Sequence, residues 1–358
     1  MKRKDMGLPV MVGVASLLLL AGCSKEQNNT SPINSDRRIE FRSADVPVTK
    51  GTEITEVADG KAFGVSAWYA KPNPDGSYYA GYKPAFYNTA VTRSGSTYYY
   101  DNPVYWPVDP NICIRFFGWY PYDAGTVSEQ TVTPPRLSFQ VAQNVPEQVD
   151  LLYGVTEPLN NYANQDPVKF KFNHALTRVR FAVKFADDVP DGYKVDIKEL
   201  YISGHDKGTL TFPATPSDTP TWTLDENSWN YYNLTSGMVN NTGITAATPR
   251  EAVNITAAGY DLFMVPQKMI QFSASEGTGV TGNGIRIAYR LNNGLAESDP
   301  GYRYIDNVVE ISLVGQSPWQ AGKGVLYTIV IGPRNASVVL QSDDWQDGNL
   351  GNEGVDFE

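Results

Sequence analysis

The stretch at residues 168–185, VKFKFNHALTRVRFAVKF, restricts the folds open to this chain more than any other. Val168, Phe170 and Phe172 alternate with Lys169, Lys171 and Asn173, the two-residue period of a half-buried β-strand. Past His174-Ala175-Leu176 the phase inverts, and Val179, Phe181, Val183 and Phe185 alternate with Arg178, Arg180, Ala182 and Lys184. A one-residue change of phase turns every side chain over, so a bulge or break is predicted between the halves. As one strand the stretch would run roughly 60 Å at about 3.3 Å per residue, too long for a compact domain. Two successive strands are expected, where one β-domain hands over to the next.

The rest of the chain reads the same way. Its 358 residues suffice for two domains, and Tyr, Trp, Phe, Val and Thr are abundant. Turn signals from 31 Gly and 24 Pro favour an all-β fold of many short strands. Strand candidates in the first half are 39–43, 63–70, a Tyr-rich hairpin region at 78–106, 112–120, 137–141 and 149–155. The run ICIRFFGWY at 112–120 is apolar on both faces and is predicted to be a central strand. Candidates in the second half are 195–203, 209–212, 222–224, 262–265, 285–291, 308–314, 325–331 and 337–341. The Asn/Thr-rich section 217–256 is poorly patterned and is expected to hold an insertion or surface loop. The boundaries that follow are 1–22, 23–36, 37–166 and 167–358.

The first of these is an export signal. Lys2-Arg3-Lys4 is a basic start, and 8–20 is an apolar run too short to span a bilayer as a mature helix. It ends in Leu20-Ala21-Gly22-Cys23, a lipobox layout in which the Cys23 thiol takes a diacylglyceryl group. Residues 24–36 then form a polar tether without periodicity. With Cys23 lipidated, Cys113 has no partner for a disulfide, and its apolar surroundings predict a buried thiol that packs as a small hydrophobe. The formal charge is −10. Without residues 1–22 the basic count falls from 29 to 26 and the acidic from 39 to 38, giving −12. An acidic surface without basic clusters excludes nucleic acid as a partner.

Several short blocks, taken together and in order, carry a resemblance. After the lipobox come Phe41 ahead of Val48-Thr49-Lys50-Gly51-Thr52, then Phe63-Gly64-Val65 ahead of Ala67-Trp68-Tyr69. Tyr105-Trp106-Pro107, Phe116-Phe117-Gly118-Trp119-Tyr120-Pro121-Tyr122 and Val149-Asp150-Leu151-Leu152-Tyr153-Gly154 follow. Phe172-Asn173-His174-Ala175-Leu176 and a terminal Asp344-Trp345 complete the series. In these blocks the chain resembles the fimbrillins, lipoprotein subunits whose assemblies are called type V pili.

That resemblance implies two tandem transthyretin-like β-sandwich domains, anchorage to the outer membrane through lipid on Cys23, surface exposure in a fimbrium, and a role in adhesion. It also implies that a protease removes an N-terminal strand and that a neighbouring pilin subunit fills the gap by donor-strand exchange. Carried over to this chain, the strand to be lost is 39–43, with Ile39, Phe41 and Ser43 on it and Phe41 as core anchor. The cut aligns at Lys50-Gly51, where the family often has Arg. Cutting at Arg37 or Arg38 would leave the strand attached. The end of the chain fits the donor role poorly: QDGNLGNEGVDFE carries only Leu350, Val355 and Phe357 as apolar residues. A tip or accessory subunit fits as well as a stalk subunit.

Enzymatic chemistry has little support. His174 and His205 are the only histidines. The first is expected to hydrogen-bond locally at the phase flip, the second to face solvent in a turn. Neither gives a metal spacing, no nucleophile or phosphate-loop motif is present, and no cofactor is implied. The alternative to a pilin is a monomeric surface lipoprotein that binds carbohydrate on Tyr78, Tyr79, Tyr82, Tyr87, Tyr98, Tyr99 and Tyr100. A coplanar row of free aromatic faces would favour that reading; a groove sealed by residues 39–43 would favour the pilin. An adhesive face would take a host or bacterial surface ligand.

Overall fold

A computed structural model describes residues 37–42, 57–70, 84–128, 134–162, 166–275 and 279–345. The first half supplies β1 (Ala62–Ala70), β2 (Pro84–Ser94), β3 (Thr97–Tyr99), β4 (Cys113–Tyr120), β5 (Gly125–Val127), β6 (Arg136–Gln140) and β7 (Leu152–Val155). Next are β8 (Asn173–His174), β9 (Thr177–Phe185), β10 (Lys194–His205), β11 (Lys207–Thr211), β12 (Thr221–Leu224), β13 (Trp229–Asn233), β14 (Ile244–Thr245) and β15 (Val253–Asn254). The last are β16 (Leu262–Met264), β17 (Ser273–Ser275), β18 (Gly279–Thr281), β19 (Gly284–Asn292), β20 (Tyr304–Ser312), β21 (Lys323–Ile331) and β22 (Ala336–Asp344). Helix among the described residues is limited to three-residue 3-10 turns, so the fold is all-β, as the composition predicts.

One sheet has the order β3-β2-β1-β4-β7-β8 and is apolar on both faces. Phe63, Val65, Ala67, Ile114 and Phe116 on one face join a core with Ile39, Phe41, Val168, Phe170 and Phe172. Trp68, Phe117, Trp119 and Tyr153 on the other face join a larger core that runs through the rest of the molecule. The double burial explains why β4, central between β1 and β7, has no polar face. The β2–β3 hairpin closes through Gly95, whose φ of +58° suits the two-residue turn there.

The larger core lies between the sheets β13-β10-β19-β20 and β15-β9-β21-β22, and all of their ladders are antiparallel except β9–β21. A further sheet, β12-β11-β6-β5, draws strands from both halves of the chain, with Gly208 opposite Phe139 and Leu210 opposite Leu137.

The phase inversion at 174–176 has a direct consequence in this architecture. Val168, Phe170 and Phe172 point into the smaller core, whereas Val179, Phe181, Val183 and Phe185 point into the larger one. The first half forms no ladder strand, however. Val168 makes an isolated bridge to Phe41, Lys171 is a second bridge residue, and β8 follows.

Three other expectations need correction. The 217–256 section is built into the fold: it contains β12 to β15, and Tyr232 is fully buried. Its Asn and Thr residues make side chain–backbone bonds, such as Thr256 Oγ1 accepting from the Phe181 amide at 2.8 Å, which hydrophobic periodicity does not register. His174 is buried and pairs through Nδ1 with Asp150 Oδ2, 2.7 Å away and 24 positions back in sequence, so its bond is not local. His205 is also buried, at the end of β10, with its ring 3.6 Å from that of Trp229. Burial lowers its pKa, and the nearby Asp206, Asp225 and Glu226 oppose the shift. Cys113 is buried as expected.

Candidate functional site

The N-terminal segment 37–42 alternates in the manner of a strand: Ile39 and Phe41 are buried, whereas Arg38, Glu40 and Arg42 are exposed. It lies between two pieces of backbone that do not pair with each other. On one side the Ile39 amide donates to Val104 O at 2.8 Å, and the Trp106 amide donates to Arg37 O at 3.0 Å. On the other, the Arg42 amide donates to Val168 O at 3.1 Å, and the Val168 amide donates to Glu40 O at 2.7 Å. The bridges are antiparallel at Arg38–Tyr105 and parallel at Phe41–Val168. Among the described residues, the segment expected as strand 39–43 is held by isolated bridges rather than by a continuous ladder.

Phe41 makes the most aromatic contacts of the segment. Its ring meets Phe63, Phe86, Tyr100 and Phe116 edge-on at centroid distances of 5.8, 5.6, 5.7 and 6.1 Å. It stacks on Phe170 at 6.4 Å with 9° between the planes. Such edge-to-face and offset pairs add to the burial of the ring itself. Tyr100 Oη donates to Ile39 O at 2.7 Å, fixing the buried carbonyl between the two apolar side chains.

The segment also carries two cations against aromatic faces. Arg38 lies 4.5 Å from the Tyr100 ring centroid and donates to Tyr100 O at 3.1 Å. Arg37 lies 5.4 Å from the Trp106 centroid. Burial pulls the Arg37 pKa down, and the carboxylates of Glu40 and Asp166 push it back up.

The wall beneath the segment depends on two close approaches. A Cβ at Gly118 would stand 2.9 Å from the Phe170 ring, and one at Gly154 would stand 3.0 Å from Lys171 O. Glycine at these positions lets 168–172 lie flat on β4 and β7, where it can pair with the N-terminal segment. Beside the segment is an open cleft of about 450 Å³ whose lining includes Arg42, Glu157, Asp166, Lys169 and Lys171.

Of the residues singled out from sequence, Ile39 and Phe41 meet in this site. Cys23, Ser43, Lys50 and Gly51 lie outside the described residues. Sequence reasoning missed Tyr100, Val104, Trp106 and Val168 as the receiving surface. The pattern Val168-x-Phe170-x-Phe172 was the available signal, since its apolar face needed a covering layer.

The tyrosines offer no such convergence. Tyr78, Tyr79 and Tyr82 lie outside the described residues, Tyr87 and Tyr98 are half-buried, and Tyr100 is buried under the segment. Tyr99 is exposed, but no coplanar row forms among the described members. No group of three or more His, Cys, Asp or Glu is arranged for a metal ion among the described residues. No helix there is long and apolar enough to cross a membrane.

A second cluster closes the other end of the chain. Trp345, just past β22, stacks on His174 at 3.6 Å with 5° between planes and on Phe263 at 5.4 Å. The Arg178 guanidinium lies 4.8 Å from its centroid. This Trp joins β22 to the β8–β9 junction.

The chain matches the model of a family described as fimbrillin-like over residues 49–345. It is similar to the crystal structure of a fimbrial protein from Bacteroides vulgatus ATCC 8482, with a TM-score of 0.54 and 17% identity over 79% of this chain and 93% of that one. A candidate cell adhesion protein from Bacteroides uniformis ATCC 8492 matches with a TM-score of 0.42 and 17% identity, over 88% of this chain and 100% of that one. Another from Bacteroides ovatus ATCC 8483 matches with a TM-score of 0.43 and 13% identity, over 87% and 97%. No curated protein sequence matches the chain. The family match spans both the wall of the N-terminal groove and the Trp345 clamp, and on that extent the chain belongs to the fimbrillin-like family.

Proposed function

We propose that this protein is a non-enzymatic fimbrial subunit, exported as a lipoprotein anchored to the outer membrane through Cys23 and assembled by strand exchange at the groove now filled by residues 37–42. In this reading it folds as two tandem sandwiches, 37–166 and 167–358, stitched together by the β6–β11 ladder and by Val168, Phe170 and Phe172. A protease cuts at Lys50-Gly51 and frees the segment that carries Ile39, Phe41 and Ser43. A segment from a neighbouring subunit then takes its place, in a stalk or at a tip.

The observation that carries this reading is the placement of Phe41. It is the centre of an aromatic core, yet the described part of its segment pairs through isolated bridges. Removing such a segment leaves backbone donors and acceptors unpaired at Val104, Trp106 and Val168, together with a Phe-sized hole. That combination is what an added strand satisfies: main-chain bonds supply affinity, and side-chain pockets supply specificity.

Limited trypsin digestion of the protein lacking residues 1–22, followed by N-terminal sequencing and sizing, tests the maturation step. One cut near Lys50 followed by higher oligomers supports strand exchange and a stalk role. The same cut with a product that stays monomeric but accepts a donor from a partner pilin supports a tip or accessory role. Resistance to cleavage near Lys50, with 39–43 kept in place, overturns the trigger. Palmitate labelling of the exported chain, lost in Cys23→Ser, tests the anchor.

A further inference from the structure

The groove holds seats for two cations as well as for two apolar side chains. Arg38 lies over the Tyr100 ring at 4.5 Å and donates to the Tyr100 carbonyl oxygen at 3.1 Å. Arg37 lies 5.4 Å from the Trp106 centroid, where burial weighs against its charge and the carboxylates of Glu40 and Asp166 weigh for it. Tyr100, Trp106 and Asp166 belong to the receiving body and stay behind when the segment leaves. An aromatic face presents negative charge density, so it attracts a guanidinium and repels a carboxylate. Asp166 adds to that discrimination beside Trp106.

Resting on the strand-exchange reading above, we infer that the groove selects a donor segment with two basic residues followed by an aliphatic residue, any residue and Phe. Its partner is then a subunit of different sequence from this one. The chain itself contains the instructive comparison. Residues 353–357, Glu-Gly-Val-Asp-Phe, repeat the aliphatic and Phe spacing of residues 37–41, Arg-Arg-Ile-Glu-Phe. In the same register Val355 takes the Ile39 position and Phe357 the Phe41 position. Glu353 then takes the Arg37 position, against the Trp106 face and Asp166, and Gly354 leaves the Tyr100 face without a cation. The apolar spacing of 353–357 matches that of the native segment but its charge opposes the cation seats, which disfavours a second copy of this chain as the donor.

The test uses the full chain with a specific protease site placed within residues 48–52, so that the folded protein is nicked while its own segment stays bound. Labelled peptides then compete for the groove. RRIEFRS, the native segment, enters and displaces the cut fragment. The same peptide with Arg37→Gln and Arg38→Gln binds about 4- to 25-fold more weakly, from roughly 2- to 5-fold per exposed cation–π contact. EGVDFE binds more weakly than either, and Glu353→Arg with Gly354→Arg in that peptide restores binding. Equal binding by the Arg and Gln peptides overturns the selection of cations and leaves strand exchange standing. Failure of RRIEFRS itself to enter the nicked protein overturns strand exchange, and the inference falls with it.

Discussion

Phe41 lies nearly parallel to Phe170, 6.4 Å between centroids and 9° between planes, although 128 residues separate them in sequence. This stack joins the N-terminal segment to the stretch that bridges the two cores. Phe41→Ala empties the centre of the cluster, and a truncation of this kind costs about 3–5 kcal/mol. Urea unfolding followed by tryptophan fluorescence checks it. A loss under 1 kcal/mol would mean that the segment contributes little to the groove.

Gly118 tests the opposite wall. A Cβ added there meets Phe170 ring carbons at 2.9–3.0 Å, so the ring must shift to admit it. Gly118→Ala is expected to cost about 1–3 kcal/mol through overpacking. Combined with Phe170→Leu it should cost less than the sum of the two single changes, because the smaller side chain relieves the contact. Denaturation midpoints of the four proteins give the coupling, and strict additivity would show that the two positions do not press on each other.

Trp345 anchors β22 through its stacks on His174 and Phe263, and its amide donates to Gly322 O at 2.8 Å. Trp345→Ala is expected to cost about 3–5 kcal/mol, as for other buried aromatics. The loss should be local at first. Hydrogen exchange of Ala336–Asp344 is expected to accelerate more than that of β9 or β10. Equal acceleration throughout would show that Trp345 supports the whole fold rather than the end of β22.

The sequence revealed the strands more readily than the site. Two-residue alternation in 285–291 and 325–331 marks β19 and β21, whose apolar faces meet in the larger core. The 217–256 section was obscured because its strands are short and its buried residues, such as Tyr232 and Ile244, are widely spaced among polar ones. In the groove, a short strand at 39–43 was legible in the residues, and the resemblance singled out Phe41 as its core anchor. Tyr100, Trp106 and Val168 were not legible, because their roles depend on pairings across about 60 to 130 positions, which local periodicity does not encode. The histidines misled for the same reason: Asp150, Trp345 and Trp229 reach them through the fold, not through the chain.

Buried tyrosines set the alkaline limit of the fold. Burial pushes Tyr289 up to about 12 and raises Tyr232 and Tyr327 as well, each from an ordinary value of 10.0. Tyr232, Tyr289 and Tyr327 are almost wholly enclosed. Tyr289 Oη donates to Asn335 O at 2.9 Å, a bond the phenolate cannot make, and Tyr327 Oη accepts from Trp319 Nε1 at 2.9 Å. Between pH 10 and the raised folded values, the unfolded chain has lost protons that the folded chain keeps. Stability is therefore full below pH 10 and falls as pH rises beyond it. Tyrosinate ultraviolet absorbance and circular dichroism, followed together in an alkaline titration, check this. The three enclosed tyrosines should ionise only as the sheets unfold, and Tyr289→Phe should reduce the slope of stability against pH above 10. Ionisation of all tyrosines near pH 10 with the circular dichroism unchanged would show that these hydroxyls reach water in the folded state.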